Sequence, residues 1–230
     1  MKDNKKHKKA EYGILITGLI ILLAVACIIA LCAGQYSVSV PEVTKILASR
    51  FVNVTKTWSN TAEGVVFTLR LPRIIGAVLV GSALSLSGAA YQGVFKNPLV
   101  APDLLGVSSG ACVGASVAIL LHLNSFGVQA MAFVAGILAV GLTLFIPRLI
   151  KNTNMTMLVL SGIIVKGIMD SVMGIIKYVA DPETELQSIT YWQLGSLTKV
   201  LPKDLFTVGP VIVAASVIIF LLRWRLNILS

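Results

Sequence analysis

Five stretches of this chain run without a single charged side chain over Gly13–Ala33, Ile74–Phe95, Leu104–Leu121, Phe126–Ile146 and Leu205–Leu222. A helix that crosses ~30 Å of hydrocarbon needs roughly 20 consecutive apolar residues, and each stretch approaches or meets that length. A sixth, Met155–Ala180, is long enough but carries Lys166, Asp170 and Lys177. Only helices and closed barrels satisfy their backbone polar groups in lipid. No recurring ten-residue alternation of apolar and polar residues exists, which excludes a spanning barrel. The expectation is an all-α, polytopic membrane helix bundle with six spans, at about 13–33, 74–95, 104–121, 126–146, 155–180 and 205–222. Residues 1–230 then form one transmembrane domain, with residues 1–12 as a basic tail.

Composition agrees. Charged residues make up 13% and apolar residues 56%, whereas a soluble domain carries about 25% charged residues. A water-soluble enzyme, a disordered tail protein and a disulfide-stapled secreted domain are all excluded. Cys27, Cys32 and Cys112 lie in apolar runs, where a free thiol packs as a small hydrophobe. The first apolar run spans 21 residues, longer than the 7–15 typical of a signal peptide's core, so it reads as a retained anchor.

Charge sets the orientation. Five lysines stand in the first nine residues (Lys2, Lys5, Lys6, Lys8, Lys9), and such a segment stays cytoplasmic. Six spans then return the C-terminal end to the same side, with ten Lys and Arg inside against seven outside. Five of those seven fall in one outer loop, Gly34–Arg73. Arg70 and Arg73 sit against a membrane face where this rule disfavours them.

Helices in lipid associate through close contact between small residues. The second span places one at every fourth position: Ala77, Gly81, Ser85, Ala89 and Gly93. The third does so with Gly106, Gly110, Gly114 and Ala118. Such a stripe stays on one helix face, so these helices are expected to approach each other or a neighbour closely.

Chemistry of its own is missing from the chain. There is no Gly-x-x-x-x-Gly-Lys-Ser/Thr loop to cradle phosphates and no His-Glu-x-x-His or Gly-x-Ser-x-Gly motif. His7 and His122 are isolated in sequence, and no ligand set for a metal emerges. The reading is of a non-enzyme without a nucleotide site, metal or cofactor.

One ordered set of motifs goes further. Residues 67–73 read Phe-Thr-Leu-Arg-Leu-Pro-Arg; Gly88-Ala-Ala-Tyr-Gln92-Gly closes the second span; Asn97-Pro98-Leu99-Val-Ala-Pro102-Asp103-Leu-Leu-Gly106-Val-Ser-Ser-Gly110-Ala follows. Leu160-Ser161-Gly162, Tyr191-Trp192-Gln-Leu-Gly195-Ser196-Leu197 and Arg225-Leu226-Asn227-Ile-Leu229 come later. Together they strongly resemble the permease subunits of the ABC importers for iron–siderophores, haem and vitamin B12, over about residues 12–230. The resemblance implies a bundle of about ten helices, of which this chain carries six of the roughly 20-residue spans, so the chain is C-terminally incomplete against that pattern. It also implies a second permease subunit (as homo- or heterodimer), two cytoplasmic ATPase subunits holding ATP–Mg, and an extracytoplasmic substrate-binding protein. The expected place is the bacterial cytoplasmic membrane, and the expected cargo is a ferric siderophore, or alternatively cobalamin or haem.

The same resemblance gives particular residues roles. Arg70 and Arg73, flanking Leu71-Pro72, match the arginines that dock the binding protein's glutamates, a task suited to the planar guanidinium fork; the alternative, which the motif disfavours, is a pair of snorkelling anchors. Asn97 and Leu99 match an inner gate or form a plain turn at Pro98, and Met155 and Thr156 stand where a second gate segment belongs. Lys166 and Asp170 are i,i+4 with Lys177 on the same stripe. Charges at membrane depth face a bundle interior or a water-filled cavity, so this stripe either lines the substrate path or neutralises itself as an internal ion pair. An ion-coupled secondary transporter using the stripe as a relay is the competing function. The Asp181–Lys203 link reads as an outer lid or cap.

Overall fold

The computed structural model describes residues 2–98, 100–152 and 154–224. Among them it contains helices and connecting turns and no strand. In chain order the helices are α1 (Lys2–Cys32), α2 (Val40–Ala48), α3 (Asn60–Gly64), α4 (Leu71–Phe95), α5 (Val107–Leu120), α6 (Ser125–Leu149), α7 (Met155–Val179), α8 (Glu185–Leu194) and α9 (Pro202–Leu221). A π-turn, Val65–Arg70, joins α3 to α4, and 3-10 turns lie at Pro102–Leu105 and Leu197–Lys199. Five segments are long and apolar enough to cross a membrane: Glu11–Cys32, Asn60–Phe95, Ser125–Leu149, Met155–Val179 and Pro202–Leu221. The helical bundle expected from the apolar runs is therefore present, with three differences in its parts.

First, the backbone of α1 is helical back to Lys2, through the basic tail; lysine is a good helix former, and nothing in the tail breaks the helix. Second, Gly34–Arg73 is not an open loop. Trp58, Ala62 and Val66 close with Val38, Val43, Ile46 and Leu31 into a small apolar core. The apolar residues of α2 recur on one face, so a nine-residue helix can be held by packing that it could not supply itself. Ser59 caps α3 by accepting from the Ala62 N–H at 3.0 Å. Lys56 Nζ donates to Asn60 Oδ1 at 2.6 Å and to Glu63 Oε2 at 2.7 Å, and Trp58 Nε1 reaches the same carboxylate at 3.3 Å.

Third, the span expected at 104–121 is broken. Its helix starts only at Val107 and holds 14 residues, about 21 Å at about 1.5 Å per residue. That falls short of ~30 Å of hydrocarbon. The 3-10 turn and Gly106, at φ +74°, precede it.

The residues group into two compact units, Met1–Val80 with Leu197–Val211 and Gly81–Ser196 with Ile212–Ser230. The first holds the small apolar core around Trp58 described above. In the second, α5 packs on α6 through its glycines: a Cβ on Gly110 would stand 2.5 Å from Ala139 Cβ, and one on Gly114 would stand 2.5 Å from Ala135 Cβ. Two apolar cores flank this pair. One joins Met173, Ile176, Ala180 and Ile189; the other joins Phe95, Val100 and Leu105.

Candidate functional site

The broken span organises the second unit. After α4 ends, Lys96 turns left-handed at φ 50° and Asn97 N–H closes back on the Gln92 carbonyl at 3.3 Å. Val100 and Leu105 then bury their side chains between α4, α6 and α7. Non-helical backbone at membrane depth survives only when its polar groups are satisfied by protein or face water. Here they are largely satisfied. Val100 N–H donates to Asn97 O at 3.3 Å, Leu104 N–H to Ala101 O at 3.2 Å and Gly106 N–H to Asp103 O at 3.0 Å. The Leu105 carbonyl accepts from Thr143 Oγ1 of α6 at 3.0 Å, and Thr143 is fully buried.

Helix α7 supplies the other wall. Ser161 and Gly162 are buried, and a Cβ on Gly162 would lie 1.9 Å from the Leu104 carbonyl oxygen. Only hydrogen fits there. One turn on, Lys166 Nζ stands 3.9 Å from Asp103 Oδ2, with the two side chains 50% and 53% exposed. Lys166 is about 16 Å along α7, at about 1.5 Å per residue. The irregular segment therefore reaches well into the bundle. Gly162, Val165, Met173 and Ile176 form the packed face of α7. Lys166, Asp170 and Lys177 lie roughly 60 to 100° to one side of that face's centre, at about 100° per residue, and Asp170 is exposed. Lys177 does not meet the two other charges; it donates to Gln193 Oε1 of α8. The self-neutralising Lys166–Asp170 pair is thus replaced by a pair between α7 and the broken span.

This arrangement of spans and motifs can be set beside known proteins. Residues 22–230 match the FecCD transport family. The chain belongs to that family. It is 34% identical over 221 residues to the molybdate import system permease protein MolB of Haemophilus influenzae, covering 96% of this chain and 65% of MolB. It is 39% identical over 166 residues to a permease protein of Helicobacter pylori named for iron chelatin transport, covering 72% of this chain and 50% of that one. Its fold matches a solved ABC transporter described as of metal-chelate type, in an inward-facing conformation, with a TM-score of 0.81 at 32% identity over 95% of this chain and 65% of the other. The chain thus spans between half and two thirds of the length of these FecCD-type relatives.

Within this FecCD chain the remaining sequence-derived residues fall as follows. Arg70 is buried. Its Nη1 donates to the Leu31 carbonyl at 2.6 Å and to the Cys32 carbonyl at 3.1 Å, and its Nη2 donates to the Tyr36 carbonyl. The guanidinium thus caps the C-terminal end of α1, where unpaired carbonyls and the negative pole of the helix favour a cation. Gly34, at φ +151°, leaves room for it: a Cβ there would sit 2.5 Å from Nη2. Docking a partner requires a guanidinium that faces outward, and this one is turned inward with its donors in use. Arg73 is half-buried, with its Nε buried and without a partner.

Asn97 is exposed beyond α4, and Met155 and Thr156 are exposed in the first turn of α7. Leu99 lies outside the described residues, as does the Arg225–Leu229 motif. Of the small-residue positions, Gly106, Gly110 and Gly114 are buried. Gly81 and Ser85 are exposed and Gly93 is half-buried, and nothing stands within 4 Å of a Cβ on Gly81. The stripe on α5 is filled by α6, whereas the stripe on α4 is open over Gly81 and Ser85. Among the described residues, no group of His, Cys, Asp and Glu is placed to hold a metal ion.

Three residues of this site escaped the reading of the sequence: Asp103, Thr143 and Gly162. Thr143 carried a weak signal as a lone hydroxyl in a charge-free run. Gly162 was visible only as part of a motif, and the partner of Asp103 is 63 positions away in sequence.

Proposed function

We propose that this chain is the transmembrane permease part of an ABC importer that passes an anionic metal complex, a ferric siderophore, across the bacterial cytoplasmic membrane. The observation that carries the reading is the FecCD family match over residues 22–230. In this reading the N-terminal tail is cytoplasmic, and a second permease subunit completes the path. Two partner ATPases bind and hydrolyse ATP–Mg, and an extracytoplasmic binding protein delivers the cargo. The bundle alternates between outward-open and inward-open states, and ATP binding on the partners biases that equilibrium.

The charged edge of α7 lines the path in this reading. Lys166 and Lys177 against Asp170 give α7 itself one net positive charge on this edge, which suits an anionic complex, and charged side chains at membrane depth occur where water or protein covers them. Arg73 takes the docking role on the outer face, and Asn97, Leu99, Met155 and Thr156 form the inner gate. The 34% identity to a molybdate permease over nearly the whole chain favours a second reading of the cargo, a small metal oxyanion.

The test is uptake by proteoliposomes holding the full importer with its ATPase and binding protein. ATP-dependent accumulation of a ferric siderophore, with molybdate, haem and cobalamin left outside, is the expected result. Accumulation of molybdate instead transfers the cargo to the oxyanion reading. Uptake that ionophores abolish and ATP depletion does not would overturn the ABC reading. Arg73→Glu is expected to abolish capture of the binding protein; unchanged capture removes Arg73 from docking.

A further inference from the structure

Lys166 has two carboxylates within reach of its helix position. Asp170 stands four residues on in the same helix, but with the lysine N-terminal to the acid, the weaker order for an i,i+4 pair. The ammonium instead faces Asp103 on the broken span. At 3.9 Å this is an ion pair without the 2.7–3.2 Å separation of a direct hydrogen bond. Both groups are half-exposed, so the packed helices of this chain do not seal either of them in. The pair is also not what holds the broken span in place: Thr143 binds the Leu105 carbonyl, and the Leu104 backbone fills the notch at Gly162. The Asp103 carboxylate can therefore leave Lys166 while its backbone stays anchored.

Charge on this edge then depends on where Asp103 points. With Asp103 engaged, Lys166 and Lys177 are balanced by Asp103 and Asp170; with Asp103 withdrawn, the edge is left positive. A withdrawn carboxylate is not stranded, because Asp103 precedes the N-terminal end of α5, whose dipole favours an anion.

We infer that Asp103 is an internal counter-ion that occupies Lys166 in the empty path and that an anionic cargo displaces it, which makes Asp103 and Lys166 a specificity-determining pair for negatively charged complexes. This rests on the reading that the charged edge of α7 lines the path. Exchange of this kind lets the edge take an anion without leaving a bare cation at membrane depth between cargoes, a costly state.

The experiment measures equilibrium binding of two anionic probes, molybdate and ferric citrate, to the reconstituted permease–ATPase complex without binding protein. Asp103→Asn is expected to tighten binding by about two- to fivefold, the range a half-exposed ion pair is worth. Lys166→Gln is expected to weaken it, and Asp103→Asn added to Lys166→Gln should change nothing further. Unchanged binding by Asp103→Asn overturns the inference, as does an equal gain in the Lys166→Gln background. Should Asp103→Asn fail to assemble, Asp103→Ser serves, with the same outcomes. Asp170→Cys, with Cys27, Cys32 and Cys112 replaced by Ala, separates the two claims through a membrane-impermeant, water-soluble thiol reagent. Labelling of that cysteine alongside unchanged Asp103→Asn binding sinks the counter-ion alone; absence of labelling sinks the path reading with it.

Discussion

The hydroxyl of Thr143 donates to the carbonyl of Leu105, 38 residues earlier, at 3.0 Å, and both residues are buried. That bond attaches a continuous helix, α6, to the irregular backbone ahead of α5. It supplies a donor to a carbonyl that no helix satisfies and no lipid could. Thr143→Val keeps the shape and removes the donor. It is expected to destabilise by about 1–3 kcal/mol, the cost of a buried polar group left unpaired. Thr143→Ser, which keeps the hydroxyl, is expected to cost less. Thermal unfolding of the detergent-solubilised protein, with both variants beside the parent, checks the order.

Glycines of α7 should separate sharply under alanine substitution. In Gly162→Ala the new methyl would meet the Leu104 carbonyl at 1.9 Å, and its obstacle is backbone. A loss of at least about 3 kcal/mol is expected, read as failure to accumulate in the membrane. Nothing stands within 4 Å of a Cβ on Gly167. Gly167→Ala is expected to be neutral or to stabilise by up to about 1 kcal/mol through helix propensity. Similar behaviour of the two variants would refute the tight approach of the broken span to α7.

Arg70 joins the end of α1 to the start of α4 through three carbonyls. Each hydrogen bond from a charged donor is worth about 1.5–3 kcal/mol, so Arg70→Ala is expected to lower the melting temperature and open residues 34–58 to added protease. Lysine cannot span three acceptors with a planar fork, and Arg70→Lys should rescue only in part. Gly34→Ala should weaken the same region by crowding the guanidinium. Protease resistance equal to the parent's in Arg70→Ala would remove Arg70 from this role.

Lys96, His122 and Lys151 all take positive φ within two residues of a helix end, at 50, 51 and 55°. Each is followed by the six-to-one bond that closes a Schellman turn: Asn97 N–H to Gln92 O at 3.3 Å, Leu123 N–H to Ala118 O at 3.0 Å and Asn152 N–H to Pro147 O at 3.1 Å. Glycine is the usual residue there, and a side chain in the left-handed region costs about 1–2 kcal/mol. Lys151→Gly is expected to raise stability by up to about 1 kcal/mol. A lower melting temperature would mean that the lysine charge matters more than the backbone strain.

The long helices were legible because hydrocarbon imposes one length and forbids charge, and both are properties of consecutive residues. The FecCD motifs were legible as strings for the same reason. The broken third span was not, because Leu104–Gly106 is apolar enough to pass as helix when counted by hydropathy. Only the neighbours that take its carbonyls make the break tolerable. Arg70 was read outward from its motif, yet the free carbonyls at the end of α1 drew it in. The segment 34–73 looked like a loop because its helices are too short to declare themselves without the core around Trp58.

Sequence alone therefore determined that this is a helical membrane protein of the FecCD type, how many apolar runs it has and which residues are charged within them. Tertiary structure alone decided which glycine must stay bare, which carbonyl a threonine must cover and which carboxylate faces Lys166. Those are meetings between residues far apart along the chain, settled by packing and by the need to pair every buried polar group. No pattern of neighbours in sequence records them.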